Sequence, residues 1–338
     1  MKKLIAFLVA AMMLLTFAAC GGPAAPATDP TAGQTEGAAA QTEPKQEKFV
    51  IGICQLITHD ALDAATQGFI DRVTEELGEE NVTFKTELAA GDSATCATIV
   101  NGFVSEGVDL IMANATPALQ AAAAATEDIP ILGTSITEYG VALDIKDFSG
   151  TVGGNVSGTS DLAPLDQQAA MITEWFPEAK TVGLLYCSAE ANSKYQVETV
   201  KAELEKAGIT AELYAFADSN DLQSVAQGAV DASDVIYIPT DNAVASAVEI
   251  VDGICREAKK PVIAGEEGIC KVAGVATLSI SYYDLGIATG AMAVEILRDG
   301  ADISTMEIAY AEATKKYNAE ICEELGLTVP EGYIAIEK

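Results

Sequence analysis

From Phe49 onward the chain alternates short apolar runs with longer segments whose apolar residues recur every third or fourth position. The runs are FVIGIC (49–54), VTFKTEL (82–88), VDLIMA (108–113), IPILGT (129–134), TVGLLY (181–186), ITAELYAF (209–216), DVIYIP (234–239), PVIAG (261–265) and VATLSI (275–280). Several are apolar throughout, as strands covered on both faces are. Leu62, Ala65, Phe69, Val73 and Leu77 instead keep a helical period, as do Val197, Val200 and Leu204. Strands alternating with amphipathic helices predict an α/β fold, with parallel sheets carrying helices on both faces.

The alternation breaks once, between Thr137 and Asp166, where five glycines accompany only brief apolar runs. It restarts with a helix over 167–176, stopped by Pro177. Two similar, Rossmann-like lobes are therefore expected, residues 48–160 and 161–281. A helix over 283–297 has an apolar face that would return to the first lobe, adding 282–304 to it, and the tail 305–338 would then cross back to the second.

The first 47 residues follow another pattern. Two lysines, an apolar run from Leu4 to Phe17 and then Ala18-Ala19-Cys20 read as a secretory signal over residues 1–20. The run is short for a membrane span. Small residues before a cysteine resemble a bacterial lipobox, although Phe17 stands where leucine is commoner, so Cys20 is the expected lipidation site. Residues 21–47 are rich in Ala, Pro, Gly, Thr and Gln, cannot bury a core, and read as a disordered tether. The body is thus expected outside the cytoplasm, lipid-anchored to the cell membrane, and monomeric.

Charge narrows the partners. With 50 acidic and 19 basic residues in 338 the formal charge is −31, which repels nucleic acid. His59 is the single histidine, so no His-pair metal site exists, and Arg72, Arg256 and Arg298 are the only guanidiniums for clamping phosphates. The six cysteines beyond Cys20 (Cys54, Cys96, Cys187, Cys255, Cys270, Cys322) contain no CxxC pair and sit in apolar patterns, as buried free thiols do. The sequence carries no GxxxxGK, GxSxG, HExxH or EF-hand loop. No catalytic residue, metal or cofactor is expected, and the protein reads as a non-enzyme.

In open parallel sheets, ligands sit beyond the carboxyl ends of the strands. In the first lobe those ends carry Gln55, Leu56 and His59, then Ala115 and Thr116, then Ser135 and Thr137. The second lobe has Asn192 and Ser193, then Asp241 and Asn242, then Glu266 and Glu267. Hydroxyls and amides at Thr116, Asn192 and Ser193 suit a ligand carboxylate; Asp161, Asp241, Glu266 and Glu267 suit an ammonium. The set describes a zwitterion receptor, with a sugar still compatible. Each member also has a plainer role, since Thr116, Ser193 and Asp241 are good helix caps.

Four stretches resemble the tryptophan-type substrate-binding lipoproteins of ABC importers: GICQLITHDALDAATQGF (52–69), ATPALQAA (115–122), SGTSDLAPLDQQ (157–168) and GEEGICKVAGVATLSISYYDLG (265–286). The resemblance implies a type I periplasmic-binding-protein fold, with two lobes joined by a three-segment hinge and closing on a ligand. It implies contacts from Ala115, Thr116, Asn192 and Ser193, with Asp241 and Asp161 nearby. Glu267-Gly268 is similar to the pair that holds the ligand amine in branched-chain amino-acid receptors, in competition with Glu266 and Asp241. An aromatic amino acid, lined by residues such as Leu56 and Leu62, and permease and ATPase partners in other chains are likewise implied. A nucleoside or sugar receptor of the same fold, and a module that presents its closed form to a signalling protein, remain the alternatives.

Overall fold

The computed structural model describes residues 48–337. The expected signal segment, Cys20 and the tether lie outside the described residues. Among the described residues no helix is long and apolar enough to cross a membrane.

The first half of the body runs β1 (Phe49–Gln55), α1 (Asp60–Leu77), β2 (Val82–Leu88), α2 (Ser93–Glu106), β3 (Leu110–Asn114), α3 (Thr116–Ala125), β4 (Ile131–Ile136), α4 (Tyr139–Ala142) and β5 (Val156–Ser160). The second runs α5 (Leu165–Trp175), β6 (Thr181–Cys187), α6 (Ala191–Lys206), β7 (Thr210–Phe216), α7 (Ser219–Ala232), β8 (Val235–Ile238), α8 (Asn242–Ala245), α9 (Val248–Glu257), β9 (Val262–Ala264), α10 (Glu267–Val272) and β10 (Ala276–Ser279). Then come α11 (Tyr282–Leu297), β11 (Ala309–Tyr310), β12 (Thr314–Tyr317), α12 (Ala319–Leu325) and β13 (Ile334–Ala335).

The strands form two sheets of the same winding. One has the order β2-β1-β3-β4-β5-β11 and the other β7-β6-β8-β9-β10-β12-β13. Every pairing is parallel except β10 with β12. In each sheet the order reverses beside the first strand, at β1/β3 and β6/β8. This is the switch point where adjacent loops splay apart and leave a crevice.

Helices cover both faces of each sheet. On the first, Cys96, Val100 and Phe103 of α2 and Leu119 of α3 pack on one face. Phe69 and Val73 of α1 and Ala293 and Val294 of α11 pack on the other. On the second, Ala169 and Ile172 of α5 and Val197 and Val200 of α6 lie opposite Leu222 and Ala226 of α7 and Val251 of α9. The six cysteines of the body are buried free thiols.

Three segments cross between the sheets: after β5, after β10, and between β11 and β12. The strand β11 pairs with β5 of the first sheet, so the last crossing falls between Tyr310 and Thr314. The helix that returns to the first lobe, α11, crosses α1 in near backbone contact. A Cβ on Gly286 would stand 2.0 Å from the Ala65 carbonyl oxygen, and one on Gly68 would stand 2.2 Å from that of Tyr283. Ala61, Ala65, Ile280, Tyr282 and Leu285 form a small apolar cluster at the second crossing.

Candidate functional site

The carboxyl ends of the two sheets face each other, and the residues there are buried although polar. On the first lobe these are Thr116, Ser135, Thr137 and Asp161; on the second, Glu190, Asn192, Ser193, Asp241, Asn242 and Glu266. A direct hydrogen bond of 3.1 Å from His59 Nε2 to Asn242 Oδ1 spans the lobes. Burial pushes the His59 pKa down, so the neutral ring donates to the amide oxygen.

Two turns of the first lobe are held in a backbone conformation that L-residues rarely adopt. Ala115, between β3 and α3, has φ 89°, and Ser135, at the end of β4, has φ 55°. Ser135 falls where the β4–β5 register shifts, between Gly133 and Ile136. Such strain re-aims a side chain and collects at binding sites. The Thr116 and Ser135 hydroxyls are buried without a hydrogen-bond partner. Past β5, the Asp161 N–H donates to the Ile136 carbonyl at 3.0 Å. Its carboxylate Oδ2 accepts from the Tyr282 hydroxyl at 2.9 Å, and Oδ1 has no partner.

The second lobe is more tightly knit. Glu190 accepts from the Asn242 side-chain amide at 2.6 Å, the Ala243 N–H at 2.9 Å and the Asn192 amide at 3.1 Å. The Asn192 Oδ1 is buried and unpartnered. Asp241 caps α8 through Val244 N–H at 2.9 Å and takes Cys187 N–H at 2.6 Å. Glu266 caps α10 through Gly268 N–H at 2.6 Å and Ile269 N–H at 2.5 Å. Glu267 pairs with Lys316 at 2.5 Å and lines a hinge-side groove together with Glu266, Lys271, Tyr282 and Tyr283.

Burial leaves these carboxyls reluctant to ionise. Asp161 is pushed up to about 6 by burial. Asp241 rises to about 7 through burial and the nearby Glu190 charge, and Glu266 to about 7 through burial. No lysine or arginine forms an ion pair with any of the three among the described residues. The region holds buried acids without a cation and unspent acceptors and hydroxyls, so it suits a cation that also carries acceptors for hydroxyl donors.

The residues singled out from sequence divide accordingly. Ala115, Thr116, Thr137, Asp161, Asn192, Ser193, Asp241, Asn242 and Glu266 stand at the facing strand ends, with His59 beside them. Gln55 turns inward, donating to Asp63 Oδ1 at 2.6 Å and Ile57 O at 2.8 Å and accepting from Thr66 at 2.6 Å. Leu62 belongs to the core of the first lobe, as does Leu56, whose other side borders a lateral cavity of about 200 Å³ between the lobes. Glu190 and Tyr282 also belong to the site although their sequence surroundings do not mark them. Glu190 follows a strand by three residues and reads as a surface acid; Tyr282 lies in a crossing segment that only the folded chain brings to the site. No group of His, Cys, Asp and Glu suited to a metal occurs among the described residues.

Two doubly wound lobes with three crossings and a buried polar seam define a periplasmic-binding-protein-like receptor of type I. Residues 50–336 match the model of the ABC transporter substrate binding protein family, and the chain belongs to that family. It is accordingly a solute-binding component of a transport system and not an enzyme. A tyrosine-binding protein of Clostridioides difficile (strain R20291) is 35% identical over 278 residues, covering 81% of this chain and 79% of the relative. An ABC domain in complex with L-Trp from Streptococcus pneumonia is 36% identical, with a TM-score of 0.81, covering 86% of this chain and all of that one (100%). The ligand-free, open structure of a substrate binding protein with adhesive properties from Clostridium difficile is 38% identical but has a TM-score of 0.65, over 86% of this chain and 99% of that one. Similarity falls against the open form although identity does not, as expected when the lobes of the present structure are apposed.

Proposed function

We propose that this protein captures an aromatic amino acid, Trp, Tyr or Phe, between its two lobes and delivers it to an ABC permease. The observation that carries this reading is the set of buried, unpartnered acceptors and hydroxyls on both sides of the seam: Thr116 Oγ1, Ser135 Oγ, Asp161 Oδ1 and Asn192 Oδ1. An unmade buried hydrogen bond costs about 1–3 kcal/mol, so a zwitterion that satisfies several at once gains where water-exposed groups would not. A ligand touching both lobes stabilises the apposed arrangement. The tyrosine-binding relative and the L-Trp complex support the aromatic side chain. Delivery requires permease and ATPase subunits in other chains. A lipid on Cys20 would hold the monomeric body at the outer face of the cell membrane, the residues 21–47 giving it reach.

A melting screen of the protein against the twenty amino acids, nucleosides and sugars tests the reading, because binding to the native state raises the melting temperature by mass action. Shifts confined to Trp, Tyr or Phe are expected. Shifts only with nucleosides or sugars would retain the fold and replace the ligand.

A further inference from the structure

We propose that Asp161 is the residue that binds the ammonium group of the ligand, with Tyr282 as the positioning residue that fixes its carboxylate; this rests on the amino-acid reading above. Sequence comparison with branched-chain receptors points instead to Glu267, and helix-start chemistry to Asp241. The hydrogen bonds separate them. Asp241 has one oxygen on Val244 N–H and the other on Cys187 N–H. Glu266 has one on Ile269 N–H and the other on Gly268 N–H. Glu190 is taken up by Ala243 N–H, the Asn242 backbone and side chain, and Asn192. Glu267 already has a cation in Lys316. Each of these acids holds its own loop together.

Asp161 is the exception. It is 4% exposed, and its Oδ1 is the one buried carboxylate oxygen left without a partner among the described residues. A carboxylate oxygen can accept two hydrogen bonds, and a buried anion without a cation is costly. An ammonium donates three and brings the missing charge. Other unspent groups occur on both lobes: the Ser135 hydroxyl on the first, two residues before Thr137, whose hydroxyl favours the ionised Asp161, and Asn192 Oδ1 on the second. The Tyr282 hydroxyl engages Oδ2 and leaves Oδ1 as the unengaged oxygen. Asp161 and Tyr282 also lie on the first and second crossings between the lobes, so a cation bound there bears on the hinge itself. Burial raises the Asp161 carboxyl only to about 6, which leaves it ionised at neutral pH to receive the cation.

The test compares an amino acid with the same molecule lacking its amine. Calorimetric titrations of wild type, Asp161→Asn and Tyr282→Phe would use L-Trp, L-Tyr and L-Phe and the three matching 3-arylpropionates. Asp161→Asn should weaken amino-acid binding by about 100-fold, since the ammonium loses its counter-charge. It should leave arylpropionate binding unchanged or tighter, reversing the preference of the wild type. Tyr282→Phe should weaken amino-acid binding by about 10-fold, the loss of one hydrogen bond to a charged group, and spare the arylpropionates. Equal losses for both ligand series, or amino-acid affinity unchanged in Asp161→Asn, would overturn the assignment. If Asp161→Asn does not fold, judged by its melting transition, the Tyr282→Phe discrimination decides alone. Wild-type protein that binds none of the three amino acids would sink the amino-acid reading itself, and the assignment with it.

Discussion

Asp161, Asp241 and Glu266 are buried acids whose pKa values are raised to about 6, 7 and 7, and their linkage to folding has a definite sign. Between the ordinary carboxylate range and these raised values, the native protein binds more protons than the unfolded chain. Stability of the ligand-free protein therefore rises as pH falls from about 7.5 to 5.5, by on the order of a few kcal/mol. Affinity for an amino acid should move the opposite way over the same window, because the ammonium needs an ionised partner. Melting curves and titrations at matched pH values check both; parallel trends would contradict the burial argument. Asp241 has a different task from Asp161. Asp241→Ala removes the cap of α8 and the acceptor of Cys187 N–H, and should cost about 2–4 kcal/mol in denaturant unfolding. At this scale the sequence disclosed the residue types and their places at strand ends, because strand ends can be read from apolar runs. It did not disclose which carboxylate was spent. Whether Asp241, Glu266 or Asp161 keeps an open oxygen depends on N–H groups that only the folded turns aim, and the strain at Ala115 and Ser135 leaves no mark in composition.

Among the elements, the α1–α11 crossing and β5 show what a hydrophobic pattern can and cannot reveal. The helical period of Leu62 to Leu77 and the apolar face of 283–297 were plain in the sequence, and the return of the second helix to the first lobe was expected, but not its pairing with the first helix. The closeness of that pairing depends on Gly68 and Gly286. Gly286→Val would drive side-chain carbon into the Ala65 carbonyl, only 2.0 Å from the position of a Cβ. A loss of about 2–4 kcal/mol in unfolding free energy is expected, with α1 and α11 forced apart within the first lobe. An unchanged denaturant midpoint would show that the helices can shift apart at little cost. The strand β5, by contrast, falls inside the Gly-rich break that showed no strand. Its residues Val156–Ser160 are buried, yet most are polar. They are accommodated by side-chain hydrogen bonds: Thr159 to Thr134 at 3.3 Å and to Thr289 at 2.9 Å, Ser157 to the Met306 carbonyl at 3.1 Å, and Ser160 to that of Thr137 at 2.9 Å. These partners are remote in sequence, so an apolar-run criterion is blind to them. Thr159→Val should accordingly destabilise the first lobe by about 1–2 kcal/mol, since it strands the Thr134 hydroxyl and removes a partner of Thr289, whose own hydroxyl still donates to the Leu285 carbonyl.

At the scale of the whole molecule, two similar lobes share a polar seam and are joined by three short crossings, an arrangement suited to closing on a ligand. Among the described residues, protein groups on the two sides of that seam also bond to each other directly. His59 to Asn242 is one such bond, and its loss is expected to act on the closing equilibrium. His59→Ala should raise the ligand dissociation rate by about 2- to 10-fold and leave the association rate nearly unchanged, as stopped-flow fluorescence would record. The duplicated winding of the sheets was foreseeable from the repeated strand–helix alternation. The last crossing was placed too early by the sequence, because the two-residue β11 has no period to detect. The proposed function requires that the seam hold an aromatic amino acid. Calorimetric titration of the purified protein with L-Trp, L-Tyr and L-Phe tests it most directly. Saturable one-to-one binding of at least one of them, with no heat from ribose or adenosine, is the predicted result; no binding of all three, with binding of a sugar or nucleoside, would contradict it.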